Sequence, residues 1–246
     1  MFKDTDYFNN INELYSMSKG INYKDYPLNR INIKKKDALK KADEYFYYLS
    51  RFNREVMSKI NNYNNMIYEV DEINGGVFFK DDKISRILVP RLDNIFSSSI
   101  LVHEYTHALS LDSVNEIDSM YYDEVCPFLN QFLYLEYLRD YYDTKDLIDS
   151  NMNYMIHNQL LYNVSRFKDS INEKHDDRSK IREHFKYVIG SLYSIVLYDR
   201  FKNDMDFMSN YSMLYNNKNS LEDLLKHYNV DICDKDNINL IKKLIK

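Results

Sequence analysis

The chain has 246 residues and a formal net charge of -5, with charged side chains making up 29% of it; this mild acidic excess leaves no nucleic-acid footprint, because the basic run Lys34-Lys35-Lys36 is short and reads as a solvated face. Two cysteines, Cys126 and Cys233, exclude a disulfide scaffold and offer no paired thiolate metal site. The opening Met1 to Asp6 has no apolar signal core and no stretch approaches the roughly 18 apolar residues of a membrane span, so the expectation is a cytoplasmic protein with neither membrane nor nucleic-acid partners.

Gly 4 and Pro 3 make few turns, which favours a mainly α fold. Residues 1 to about 30, interrupted by Pro27, read as short helical turns or an arm packed on the body. From Lys36 to Met66, Leu39, Ala42, Phe46, Leu49, Phe52, Val56, Ile60 and Tyr63 recur at three- and four-residue steps, the signature of one long amphipathic helix. The pattern then shortens. Gly75-Gly76-Val77-Phe78-Phe79, a polar turn, and Ile84 to Val89 ending at Pro90 predict a small β-hairpin, with the glycine pair serving as a turn or as a substrate shelf.

A helix follows, capped by Asp93, Asn94 or one of Ser97 to Ser99. Another spans about Tyr122 to Tyr141, with Pro127 near its start, where proline costs least. Further helical stretches are expected at about 144–170, 177–202 and 204–216, then one opened by the cap Ser220-Leu221-Glu222-Asp223 and a last one through Ile238, Ile241 and Leu244. The whole reads as a single domain over 1–246, with an N-terminal helical part over 1–70 and a catalytic core over 71–246.

The chemistry concentrates in His103-Glu104-Tyr105-Thr106-His107. On a helix the two histidines project from one face about a turn apart, with Glu104 at its edge. Two neutral imidazoles suit a zinc ion, and the glutamate can take a proton from an attacking water. With six His in the chain, H-E-x-x-H arises by accident only about one time in a hundred. A third ligand six residues after His107 fails, because Ser113 stands there and Asp112 is one residue off. Glu116, Asp118, Asp123 and Glu124 come next, the first two in a connecting loop. A helical hairpin would return the first turn of the following helix alongside the histidines, which assigns the ion to His103, His107 and Glu124.

Several stretches, in order, resemble the oligoendopeptidase F and thimet oligopeptidase family of zinc metallopeptidases: Gly75 to Phe79, Ser85 to Pro90, Leu101 to Leu109, Asp123 to Asn130, Tyr187-Val188-Ile189-Gly190, and Asn219 to Leu225 followed by Val230-Asp231-Ile232. The resemblance implies a zincin-like fold, one zinc per chain, Glu124 as third ligand, and endopeptidase action on oligopeptides with Glu104 as general base. It also implies an oxyanion donor, Tyr187 first, His184 next and His175 third, and peptide binding along the strand at Gly76, Val77 and Phe78 or its partner at Ile87 to Val89. Three departures accompany it: a shorter connection from His107 to Glu124, no large N-terminal helical region, and Phe185 where tyrosine is common. A compact protease acting on one specific protein, or a catalytically silent peptide-binding relative, is the alternative.

Overall fold

A computed structural model describes residues 5–21, 31–51, 66–71, 76–80, 85–110, 122–172, 178–212, 214 and 220–245. Most of them are helical, with one small sheet, as the scarcity of turn-makers predicts. The N-terminal segment is more regular than expected: α1 is a 14-residue helix, Thr5–Ser18, whose buried face carries Tyr7, Ile11 and Leu14 at helical spacing. Helix α2, Lys35–Ser50, follows the predicted periodicity, and Ala38, Ala42, Tyr45, Phe46 and Leu49 are buried. The predicted continuation over 52–65 lies outside the described residues. Met66, read as its end, instead leads into strand β1, Ile67–Glu69.

The predicted hairpin is present as β2, Val77–Lys80, paired antiparallel with β3, Ser85–Val89. Strand β1 adds to the other side of β3 in parallel, giving the order β1-β3-β2. β3 is thus the central strand and has no edge to offer a peptide, which removes Ile87 to Val89 as the alternative docking strand. Ile87 and Val89 alternate to one face of the sheet and are fully buried there.

Helix α3, Ile95–Ser110, carries the histidines. Asn94 caps it, accepting the Ser97 backbone N–H at 2.9 Å. Its sequence is apolar around most of its circumference, and it is correspondingly buried all round, by α2, β2, β3 and α4, Val125–Tyr137. His107 is paired with Glu124, His103 with Phe128, and Ser98 with Tyr134, so α3 and α4 run antiparallel. A buried chain of hydrogen bonds fixes their register: Tyr45 Oη donates to Asn130 Oδ1 at 2.6 Å, and Asn130 Nδ2 donates to Thr106 Oγ1 at 2.8 Å.

Beyond α4 come α5, Lys145–Tyr154, a π-helical segment Met155–Leu161, and α6, Tyr162–Asn172, one continuous run matching the predicted 144–170 stretch. Helix α7, Arg178–Phe201, crosses α4, α6 and the π segment. The remaining helices are α8, Phe207–Ser212, α9, Leu221–His227, and α10, Lys235–Leu244. Ser220 and Asp223 form the predicted capping box at the start of α9. Among the described residues, no helix is long and apolar enough to cross a membrane.

Candidate metal centre

The antiparallel packing of α3 against the start of α4 brings His103, His107 and Glu124 together. His103 and Glu124 are buried, and His107 is nearly so. Three donor atoms converge: His103 Nε2 and His107 Nε2 are 3.1 Å apart, and Glu124 Oε2 is 3.2 Å from the first and 3.4 Å from the second. A tetrahedral zinc ion with ligands at about 2.0–2.1 Å holds them about 3.3–3.4 Å from one another. The donor triangle therefore has the size of one face of such a tetrahedron.

A hydrogen bond between the two ring nitrogens accounts for one side of that triangle but not for its Glu124 corner. Glu124 Oε2 is buried without a hydrogen-bond partner among the described residues, although two ring nitrogens lie beside it. All three donor atoms lie within reach of one ion. Glu124 also occupies the N-cap position of α4, yet its side chain makes no capping hydrogen bond. An acid placed only for the helix dipole would turn toward the free backbone N–H groups. This one turns toward the histidines, and the residues present fit a metal ion.

Second contacts orient the first. His107 Nδ1 faces Asp123 Oδ1 at 3.6 Å, leaving Nε2 for the centre, the outer arrangement usual for a ligating histidine. His103 Nδ1 is buried without a hydrogen bond among the described residues, and its ring packs on Phe128 with centroids 5.0 Å apart. Lys186 of α7 reaches Glu124 Oε1 at 2.8 Å and Asp123 Oδ2 at 3.5 Å. Sequence reasoning passed over Lys186, since an isolated lysine in a helix has no signature. Only its position one turn ahead of Gly190 hints at a shared face.

Electrostatics show what the site asks for. Burial opposes a charge on His107, yet Asp123, Glu124 and Glu104 together raise its pKa to about 10. Burial likewise opposes ionisation of Glu124, and the two imidazoles hold its carboxyl well below the usual range regardless. Without a metal, three carboxylates draw a proton onto an imidazole; a dication satisfies the same field directly.

Glu104 Oε1 lies 4.0 Å from His103 Nε2, at the edge of the centre. Gly76 explains how it stays there. A Cβ at Gly76 would fall 2.7 Å from Glu104 Cδ, so the backbone entering β2 can lie against the carboxylate only as glycine. Gly190 does the same for the other carboxylate: a Cβ there would lie 3.2 Å from the Glu124 carbonyl carbon and closer still to its Cβ. Val77 and Phe78 are in β2, which is an edge strand of the sheet among the described residues.

Tyr187, next to Lys186, stands near the centre: its ring is 6.3 Å from that of Phe128, and burial with the charge of Glu124 raises its pKa to about 12. His184 is directed elsewhere, with Nδ1 3.0 Å from Asn163 Oδ1 on α6. Burial, the leading influence, lowers its pKa, and the charges acting on it are those of Glu183, Arg166 and Lys180. His175, Asp112, Ser113, Glu116 and Asp118 lie outside the described residues.

No protein-family model matches the sequence, and no curated protein does either. Two crystal structures share the fold. One is a candidate peptidase from Chlamydophila abortus, with a TM-score of 0.61 and 15% identity over 98% of this chain and 54% of that one. The other is a candidate oligoendopeptidase F from Bacillus anthracis strain Ames, with a TM-score of 0.66 and 12% identity over 99% of this chain and 56% of that one. This chain spans little more than half the length of either. At such low identity the likeness establishes the architecture alone, a mainly helical fold with a small sheet.

Proposed function

We propose that this chain is a zinc-dependent endopeptidase that hydrolyses oligopeptides. The observation that carries the reading is the donor triangle of His103, His107 and Glu124, sized for one tetrahedral ion and bordered by the Glu104 carboxylate. The names of the two fold neighbours, a candidate peptidase and a candidate oligoendopeptidase F, support it.

Zinc, when bound, supplies Lewis acidity that polarises the scissile carbonyl and eases deprotonation of water. The residues of the chain do the rest. Glu104 accepts a proton at its carboxylate as water adds to the carbonyl carbon, then delivers that proton to the departing amine nitrogen. Hydroxyl and hydrogen are thereby added across the C–N bond, and Glu104 returns to its ionised form. Gly76 keeps the carboxylate in place by letting the backbone pass beside it. Tyr187 donates its phenol O–H to the developing oxyanion, and its raised pKa keeps it protonated throughout the neutral range. The edge of β2 at Gly76, Val77 and Phe78 takes the substrate as an added strand, through backbone hydrogen bonds that need little sequence preference.

The test is digestion of a mixed oligopeptide library by the zinc-loaded protein, with new termini read by mass spectrometry. Cleavage by wild type and its loss in Glu104→Gln, with zinc retained, is the expected result. A wild-type protein that carries stoichiometric zinc yet cleaves no peptide would overturn the reading.

A further inference from the structure

Glu124 is gripped by one stripe of α7. Gly190 lets that helix press against its Cβ, and Lys186, one turn earlier on the same face, places Nζ 2.8 Å from its Oε1. The lysine side chain is only 24% exposed, and its Nζ also lies 3.5 Å from Asp123 Oδ2 and 5.2 Å from the centroid of the Tyr187 ring. The two oxygens of Glu124 therefore have unlike surroundings: the ammonium engages Oε1, and Oε2 faces the ring nitrogens of His103 and His107.

We infer that Lys186 is a positioning residue that holds Oε1 of Glu124 and so restricts this ligand to offering a single oxygen, Oε2, to the metal. The inference rests on the zinc reading. A carboxylate can bind a cation through one oxygen or through both. A catalytic zinc site works only while part of its coordination is left for water and substrate. Engaging Oε1 elsewhere preserves that vacancy.

Charge gives this role a signature that a merely structural residue lacks. With the imidazoles neutral, as metal ligation requires, Glu104, Asp123 and Glu124 carry three negative charges, which a dication plus the Lys186 ammonium would balance. The ammonium also repels the metal. Removing it thus favours metal binding while damaging catalysis. Loss of a residue that only supported the fold would lower both.

The experiment compares wild type, Lys186→Met and Lys186→Arg by three readouts: zinc affinity in competition with a chromophoric chelator, the visible absorption of the cobalt(II)-substituted protein, which weakens when four-coordinate cobalt becomes five-coordinate, and peptide cleavage. Lys186→Met is expected to bind zinc at least as tightly as wild type, to show weakened cobalt absorption, and to lose about 10- to 100-fold in kcat. Lys186→Arg, which keeps the charge and an N–H donor, is expected to retain the wild-type spectrum. Should the Met variant not fold, Lys186→Ala takes its place with the same expectation. Zinc affinity falling in step with activity under an unchanged cobalt spectrum would overturn the inference, as would a neutral variant of wild-type spectrum and activity. If wild type binds zinc and cleaves nothing, the peptidase reading fails, while the chelator and cobalt measurements still decide the part of Lys186.

Discussion

Replacing Gly190 by alanine probes the metal centre without touching any group that donates to it. The added Cβ would sit 3.2 Å and 3.3 Å from the Glu124 carbonyl carbon and Cα, and inside 3.0 Å of its Cβ, a separation that real Cβ atoms essentially never show. The obstacles are backbone and a buried stem, so neither can swing aside cheaply. Helix α7 and the start of α4 must part by about half an ångström to an ångström, an overpacking strain of about 1–3 kcal/mol. That displacement exceeds the roughly 0.2 Å tolerance of ligand distances in a metal site, so zinc affinity should fall about 10- to 100-fold. The assay pairs urea denaturation of the metal-free protein with zinc titration against a chelator. Gly20→Ala is the control: its φ of +82° strains alanine by about 1 kcal/mol, but nothing lies within 4 Å of the new Cβ. It should lose stability and keep wild-type zinc affinity. If Gly190→Ala also binds zinc as wild type does, the close packing of α7 does not set the position of Glu124, and that part of the reasoning is refuted.

Two further outcomes are expected from contacts elsewhere in the fold. Gly76→Ala places a Cβ 2.7 Å from Glu104 Cδ and should displace the carboxylate, lowering kcat about 100-fold while zinc content stays at the wild-type value; unchanged turnover would show that the glycine does not position Glu104. Acid should destabilise the fold, because hydrogen bonds from Lys41, Tyr228 and Ser220 lower the carboxyl pKa values of Glu44, Asp204 and Asp223. Carboxyls depressed in the folded state contribute stability that is present above their unfolded pKa of about 4 and is lost as pH falls through their folded values. The urea midpoint should therefore drop between pH 6 and pH 3, and a flat profile would contradict the assignment.

How much of this was legible in the sequence differs from residue to residue. The histidine helix could be read because its chemistry and its period coincide: His103 and His107 repeat at the spacing that Leu101, Val102, Tyr105 and Leu109 use for burial. Glu124 could be reached by asking which acid a helical hairpin would return to that face, and the structure places its Oε2 there. Strand β1 could not be read: Ile67 to Glu69 is three residues long, continues a helical pattern in composition, and becomes a strand through parallel pairing with β3 at Ile87 to Val89. The regularity of α1 was hidden for a similar reason, since its polar run is stabilised by packing on α6 and α10. Lys186 and the steric role of Gly190 depend on how closely α7 approaches α4, a distance that no local pattern encodes.

On the proposed reading, three side chains from two antiparallel helices make one metal centre. Zinc stoichiometry and affinity, measured by elemental analysis and chelator competition on wild type and Glu124→Ala, test it most directly. One zinc per wild-type chain is expected, with a loss of at least about 100-fold in affinity when the carboxylate is removed. Wild-type protein that takes up no zinc, or a Glu124→Ala variant that binds it unchanged, would rule out His103, His107 and Glu124 as one metal site.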